Sequence, residues 1–207
     1  MDERLGGLFG GSHQMNEDRQ KIWNEYKGVK NGPMRRMFLD YNRYFEAGAI
    51  EDALEAMHVN FEGFKVLDFG CGVADYGIYF ARLGAFVRLL DIDVDALNFA
   101  IHRFKLEHLS FGITDTITGY DLVIFGEVLD HLENPYDAIQ QAINGGARFI
   151  FTSSYPFRSD DPNDVHWQHD HHPASAREQQ AEIRKLLEEN YNKLNFGGQR
   201  NLWTRKI

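Results

Sequence analysis

Apolar residues recur along this chain at two spacings, and the change from one to the other marks out its parts. From Glu17 to Met57 the spacing is helical. Ile22, Trp23 and Tyr26 share one side of a helix over Glu17–Tyr26. Asn31-Gly32-Pro33 stops it, and Pro33 suits the first position of the next helix. Met34, Met37, Phe38, Tyr41 and Phe45 keep the helical step, and Ile50, Ala53, Leu54 and Met57 make a third amphipathic segment. From Lys65 onward short apolar runs alternate with helical stretches. The runs Lys65–Phe69, Phe86–Leu90, Leu109–Ile113, Asp121–Gly126 and Ala147–Ser153 read as strands, the third being the weakest. Between them, Ala74, Gly77, Ile78 and Ala81 line one face of a helix, and Asp95, Ala96, Phe99 and Ala100 begin another. Asn134 and Pro135 start a helix with Tyr136, Ile139 and Ile143 inward, stopped by Gly145-Gly146. Ser175-Ala-Arg-Glu178 reads as a capping box, with a helix from about Ala176 whose inner side is Ile183, Leu186 and Leu187. Tyr191–Phe196 and Leu202–Ile207, joined through Gly197-Gly198, read as a closing antiparallel hairpin. Strands alternating with helices predict an α/β fold.

Composition narrows this picture without changing it. The 207 residues suffice for one large domain with a substantial core. Met1–Gln14 is glycine-rich and reads as loose, without the basic start and apolar core of a secretory signal. No apolar run approaches a membrane helix in length. One cysteine, Cys71, excludes an intramolecular disulfide and suits a reducing, cytoplasmic compartment. The net charge of −9 weighs against a generally basic nucleic-acid binder. The entry region departs from that balance. Between Arg19 and Arg43 stand seven Lys/Arg and two acids, with Trp23, Tyr26, Phe38 and Tyr41 interleaved. This reads either as an anionic-ligand surface or as helices with wet basic faces and aromatic cores.

The candidate chemistry gathers at the ends of the strands. After the first strand, Gly70 and Gly72 remove β-carbons where the backbone turns sharply. The dinucleotide fingerprint requires a third glycine where this chain has Asp75, and an acid in the first helical turn would repel a pyrophosphate. Asp68 and Asp75 together suit a ligand with a positive amino-acid group. Asp91 follows the second strand, 19 residues after Gly72, where a carboxylate binds ribose hydroxyls.

The stretch V-L-D-F-G-C-G, paired with D-I-D at Asp91–Asp93, resembles the first two motifs of class I S-adenosylmethionine (SAM) dependent methyltransferases. The third glycine common in that first motif is Ala74 here. The resemblance implies that Asp68, Gly70, Cys71 and Gly72 lie under the methionine part of SAM. It also implies that Asp91 holds the ribose and Ile92 lines the adenine. Asp115, after the third strand, would accept from the adenine amino group or be a turn residue. Cys71 has no base near it in sequence and reads as packing rather than as a nucleophile. Glu127-Val-Leu-Asp-His-Leu-Glu-Asn-Pro135 is similar to the family's stretch after the fourth strand. It puts Gly126 beside the cosubstrate and makes His131 a candidate general base, with Glu127 a second candidate; His131 reads equally as a residue packed against the SAM edge.

A loop over Ser154–Pro173 carries Asp160, Asp161, Asp164, His166, His169, Asp170, His171 and His172. Glu127, Asp130 and His131 stand at i, i+3 and i+4, one face if that stretch is helical. With His171 they resemble the metal set of the 3′-terminal small-RNA 2′-O-methyltransferases, which implies an alternative metal-dependent reading with RNA as partner. The expectation is a Rossmann-like seven-stranded, mostly parallel sheet with an antiparallel last strand and helices on both faces. Residues 1–60 are expected to form a helical cap on a core of residues 61–207. The expected function is methyl transfer from SAM to a small-molecule acceptor without a metal. A SAM-binding sensor or partner subunit that transfers nothing is the other class carried.

Overall fold

The computed structural model of the chain describes residues 12–26, 35, 38, 42–153, 155, 156, 163, 172–195 and 200–207. Two helices, α1 (Ser12–Glu25) and α2 (Asn42–Ala56), precede β1 (Lys65–Phe69). Then follow α3 (Asp75–Arg82), β2 (Phe86–Leu90), α4 (Val94–Leu106), β3 (Gly112–Ile113) and β4 (Leu122–Phe125). A short 3-10 turn, Leu129–His131, leads to α5 (Pro135–Asn144) and β5 (Phe149–Ser153). The chain closes with α6 (Ala174–Glu178), α7 (Gln180–Asn190), β6 (Tyr191–Asn195) and β7 (Arg200–Arg205). The expected stop at Asn31-Gly32-Pro33, the helical positions Met34, Met37 and Tyr41, and the hairpin tip at Gly197-Gly198 lie outside the described residues.

The seven strands form one sheet in the order β3-β2-β1-β4-β5-β7-β6. β1 to β5 run parallel, and β7 is antiparallel to both its neighbours. Both faces are covered, and the strand period of two sorts the core accordingly. Val66, Leu122, Ile124, Phe151 and Leu202 point to the side of α2, α3 and α4. Leu67, Val123, Ile150 and Trp203 point to the side of α5 and α7. This is why the strands read as continuous apolar runs.

The helices depart from the expected registers in two places. Phe45 keeps the helical step of Phe38 and Tyr41, but it is 51% exposed. Asn42–Ala56 is one helix, and Tyr44, Ala47, Ile50 and Leu54 are the residues it buries. Met57 lies beyond that helix and is 37% exposed. Ser175 is not a cap: α6 starts at Ala174, two residues earlier than expected, with Pro173 as its N-cap and no side-chain cap. Asn134 does cap α5, accepting from the Asp137 N–H. Ile22 and Trp23 of α1, with Tyr26 just after it, pack against a small cluster of Phe38, Val73, Ala96 and Phe99.

Candidate functional site

The order of the strands reverses between β1 and β4. The chain runs outward through β2 and β3 on one side and through β4 and β5 on the other. In open parallel sheets a ligand crevice forms at such a point, outside the carboxyl ends of the strands. Gly70–Ala74 and Gly126–Val128 are the two loops that border it.

The first loop is tied down from both sides. Gly70 and Cys71 N–H donate to the Leu90 carbonyl at 2.8 and 3.2 Å. Gly70 has φ +64°, and a β-carbon on it would lie 2.2 Å from Val128 Cγ2. The glycine is therefore required by the second loop as well as by the turn. Gly72 N–H donates to Asp91 Oδ2 at 2.6 Å, and Asp93 N–H donates to Asp91 Oδ1 at 2.8 Å. Each carboxylate oxygen has a second lone pair, so Asp91 can still accept two hydroxyls. Ala74 also sits in the left-handed region, at φ 58°. That backbone need explains why a glycine is common at this place in the resembling motif.

Asp68 is buried at the end of β1 and accepts from the Gly77 N–H at 2.9 Å. Burial raises its carboxyl to about 7 against the opposing pull of that N–H. Cys71 is buried too, and burial pushes its thiol well above its ordinary value, as for a packing residue rather than a nucleophile. Ile92 is 94% exposed at the mouth of the loop after β2, and Asp115 is exposed after β3.

Asp75 takes a different place from the one expected. It was read as an acid facing the ligand, but it is fully buried. Arg19 Nη2 lies 2.8 Å from its Oδ2 and Arg103 Nη1 lies 2.8 Å from its Oδ1. Burial alone would raise this carboxyl, but Arg103 and Arg19 outweigh it and hold it below the ordinary carboxylate value. Both guanidiniums stack on the Phe38 ring, at 4.5 and 4.7 Å from its centroid. Arg19 is therefore not part of a wet basic face, and Asp75 repels nothing in the crevice.

The second loop begins with Gly126, whose hydrogens face the Tyr76 ring; a β-carbon there would lie 2.4 Å from Tyr76 Cε2. Glu127 is left-handed at φ 56°, uncommon for a residue with a side chain. Its Oε1 accepts from Ser153 Oγ at 2.7 Å. Near it, Glu46 of α2 accepts from the Tyr76 hydroxyl and lies 2.7 Å from Arg200 Nε. Burial raises the Glu46 carboxyl, against the pull of Tyr76 and Arg200. Sequence reasoning missed Glu46, because a lone acid in an amphipathic helix gives no signal.

Glu127, Asp130 and His131 do not share a helical face. Only Leu129–His131 is helical, as a single 3-10 turn, and Glu127 turns away to Ser153. Asp130 and His131 are joined instead by His172. The His131 and His172 rings stack at 4.5 Å between centroids. Asp130 is fully buried, His172 is nearly so, and the His131 side chain is 40% exposed. His171 and the other polar residues of the 154–171 loop that were singled out lie outside the described residues.

No family model matches the chain. It is 35% identical over 108 residues to a ubiquinone biosynthesis O-methyltransferase of Glaesserella parasuis, a match covering 44% of this chain and 45% of that protein. It is 29% identical over 106 residues to the mitochondrial ubiquinone biosynthesis O-methyltransferase of Schizosaccharomyces pombe, covering 45% and 39%. The chain thus spans less than half the length of these relatives. Its fold matches the SAM-bound crystal structure of magnesium protoporphyrin IX methyltransferase from Synechocystis PCC 6803. That match has a TM-score of 0.60 and 20% identity, over 94% of this chain and 95% of that one.

Proposed function

We propose that the chain is a class I SAM-dependent methyltransferase that transfers the methyl group of SAM to a small-molecule acceptor, a reading supported by its fold and by its partial match to O-methyltransferases. The observation that carries this reading is the Asp91 carboxylate at the end of β2, 2.6 Å from the Gly72 N–H of the glycine turn. A ribose held there lies at the switch point, with the adenine toward Ile92 and Asp115 and the methionine part over Gly70–Gly72 beside Asp68. The sulfonium end then faces Gly126, Glu127 and His131 at the carboxyl end of β4.

Transfer from a sulfonium is an in-line displacement that leaves a neutral thioether. The protein contributes alignment and a dry site rather than bond-breaking groups. A protonated hydroxyl acceptor also needs its proton removed, and the partly exposed His131, on the turn after β4, is the base assigned to it. The matched relatives are named for methylation in ubiquinone biosynthesis and of magnesium protoporphyrin IX, which supports a small organic acceptor here. RNA is less well supported, because Arg19 of the basic entry region is buried on Asp75. Among the described residues no helix is long and apolar enough to cross a membrane, and the single cysteine fits a cytoplasmic protein.

A thermal-shift titration tests the cosubstrate. A ligand in hundredfold excess over its Kd stabilises the folded state by about 2.7 kcal/mol. S-adenosylhomocysteine should raise the melting temperature of the wild type and leave Asp91→Ala unmoved, and NAD should do nothing to either. A shift with NAD alone, or an equal shift in Asp91→Ala, contradicts the reading.

A further inference from the structure

Arg200 opens β7, and its register partner is Ser153, the last residue of β5. Residues opposite each other on antiparallel strands face the same side of the sheet. Phe151 and Leu202, the next pair on that side, belong to the core under α2 and α3. Arg200 and Ser153 continue that side at the carboxyl end of β5. Ser153 Oγ donates to Glu127 Oε1 at 2.7 Å, which carries the row across to the loop after β4. Arg200, Ser153 and Glu127 thus follow one another along the strand ends, leading away from the loop that the sulfonium faces in the proposed function.

The arginine stands on a fixed support. Its Nε lies 2.7 Å from Glu46 Oε1, and the other carboxylate oxygen of Glu46 accepts from the Tyr76 hydroxyl. Tyr76 is itself locked, its ring against Gly126 and 5.8 Å from the Phe151 ring. The Glu46 side chain is 8% exposed and that of Arg200 is 49% exposed. Nε is the atom nearest the buried carboxylate, so the open part of Arg200 is the far end of its guanidinium. That end carries four of the five N–H donors, in the planar fork that matches a carboxylate or a phosphate. Glu46 also feels Glu127 and Arg43 of α2. Two acids and two cations cancel in formal charge, so an anion brought here meets no net repulsion, and the fork decides where it sits.

We propose that Arg200 is an acceptor-binding residue, and that the acceptor carries an oxyanion group, a carboxylate or a phosphate, which its guanidinium grips beside the end of β5. Glu46 is the positioning residue that aims the fork. The inference rests on the methyl-transfer reading and deepens it, by giving the small-molecule acceptor a charge and a place.

The test is a nitrogen–proton NMR titration of the arginine Nε–H groups, in the full chain with S-adenosylhomocysteine. The Arg200 signal is the one lost in Arg200→Lys. Benzoate or phenyl phosphate should shift it saturably, and the tighter of the two identifies the oxyanion. Neutral benzyl alcohol should leave it in place. Arg148, 57% exposed and 3.6 Å from Asp121 just before β5, should not follow, because it is an ordinary surface pair at the other end of the strands. Arg200→Gln should weaken the preferred probe about tenfold or more by calorimetry, the loss of a charge-assisted contact. An Arg200 signal unmoved by both anions, or moved no more than that of Arg148, overturns the subsite, and that outcome needs no variant that might fail to fold. Undiminished binding in Arg200→Gln overturns it too. The melting temperature reports S-adenosylhomocysteine separately. Anion failure with that ligand bound removes the subsite and leaves the methyltransferase reading standing, whereas no response to S-adenosylhomocysteine counts against the reading itself.

Discussion

Two buried acids near the glycine turn behave in opposite ways, and each gives a measurable consequence. Burial raises the Asp68 carboxyl to about 7. An acid with a folded-state pKa above its unfolded value favours folding when protonated. Its contribution therefore falls as pH rises from about 4, the unfolded value, to about 7. Asp68→Asn keeps an acceptor for the Gly77 N–H and removes the titration. Its stability advantage over the wild type should grow across that window and level off above it, in melting temperatures taken from pH 4 to 8. Parallel curves would contradict the buried, raised carboxyl. Asp75 is held below its ordinary value by Arg103 and Arg19, against its burial. That contribution is present above the unfolded value and is lost as pH falls through the lowered one. Arg103→Ala leaves Asp75 with Arg19 alone in a dry site, and breaking such a pair costs about 3–5 kcal/mol. Urea unfolding at pH 7 measures it; a cost under about 1 kcal/mol would be that of a surface pair.

At the scale of elements, the loops after β1 and β4 are built against each other. Gly70→Ala puts a methyl 2.2 Å from Val128 Cγ2 and 2.8 Å from its Cβ, at φ +64°. Overpacking and left-handed strain together should cost about 3 kcal/mol. Val128→Ala in the same chain should return part of that, because it removes the closest atom, and a double-mutant cycle on unfolding free energies measures the coupling. The strands, the helices after them and the closing hairpin were legible in the sequence, since strands covered on both faces leave unmistakable apolar runs. The glycine turn and Asp91 were legible for a related reason: each stands at a fixed distance from a strand end. The registers of Phe45 and Ser175 were not. Phe45 follows the helical step of Phe38 and Tyr41, and only the three-dimensional register of α2 turns it outward. Nothing in the sequence announces that Glu127 is left-handed, and that turn is what separates it from Asp130 and His131.

Across the whole molecule, α1 and α2 are bound to the core through charged groups as well as apolar ones. Arg19 joins α1 to Asp75 at the start of α3, and Glu46 joins α2 to Tyr76 and Arg200. Both ties end beside the two loops of the crevice, so the helices that precede the sheet are coupled to the geometry of the site. The sheet order puts Asp91 on one side of the switch point and Glu127, His131 and His172 on the other. In the proposed function, the first side takes the nucleoside and the second the acceptor. The measurement that tests it most directly is a crystal structure with S-adenosylhomocysteine. The account predicts the ribose hydroxyls on Asp91, the homocysteine over Gly70–Gly72, and the sulfur facing the end of β4. A ligand seated elsewhere, or lying across the crevice without touching Asp91, would contradict it.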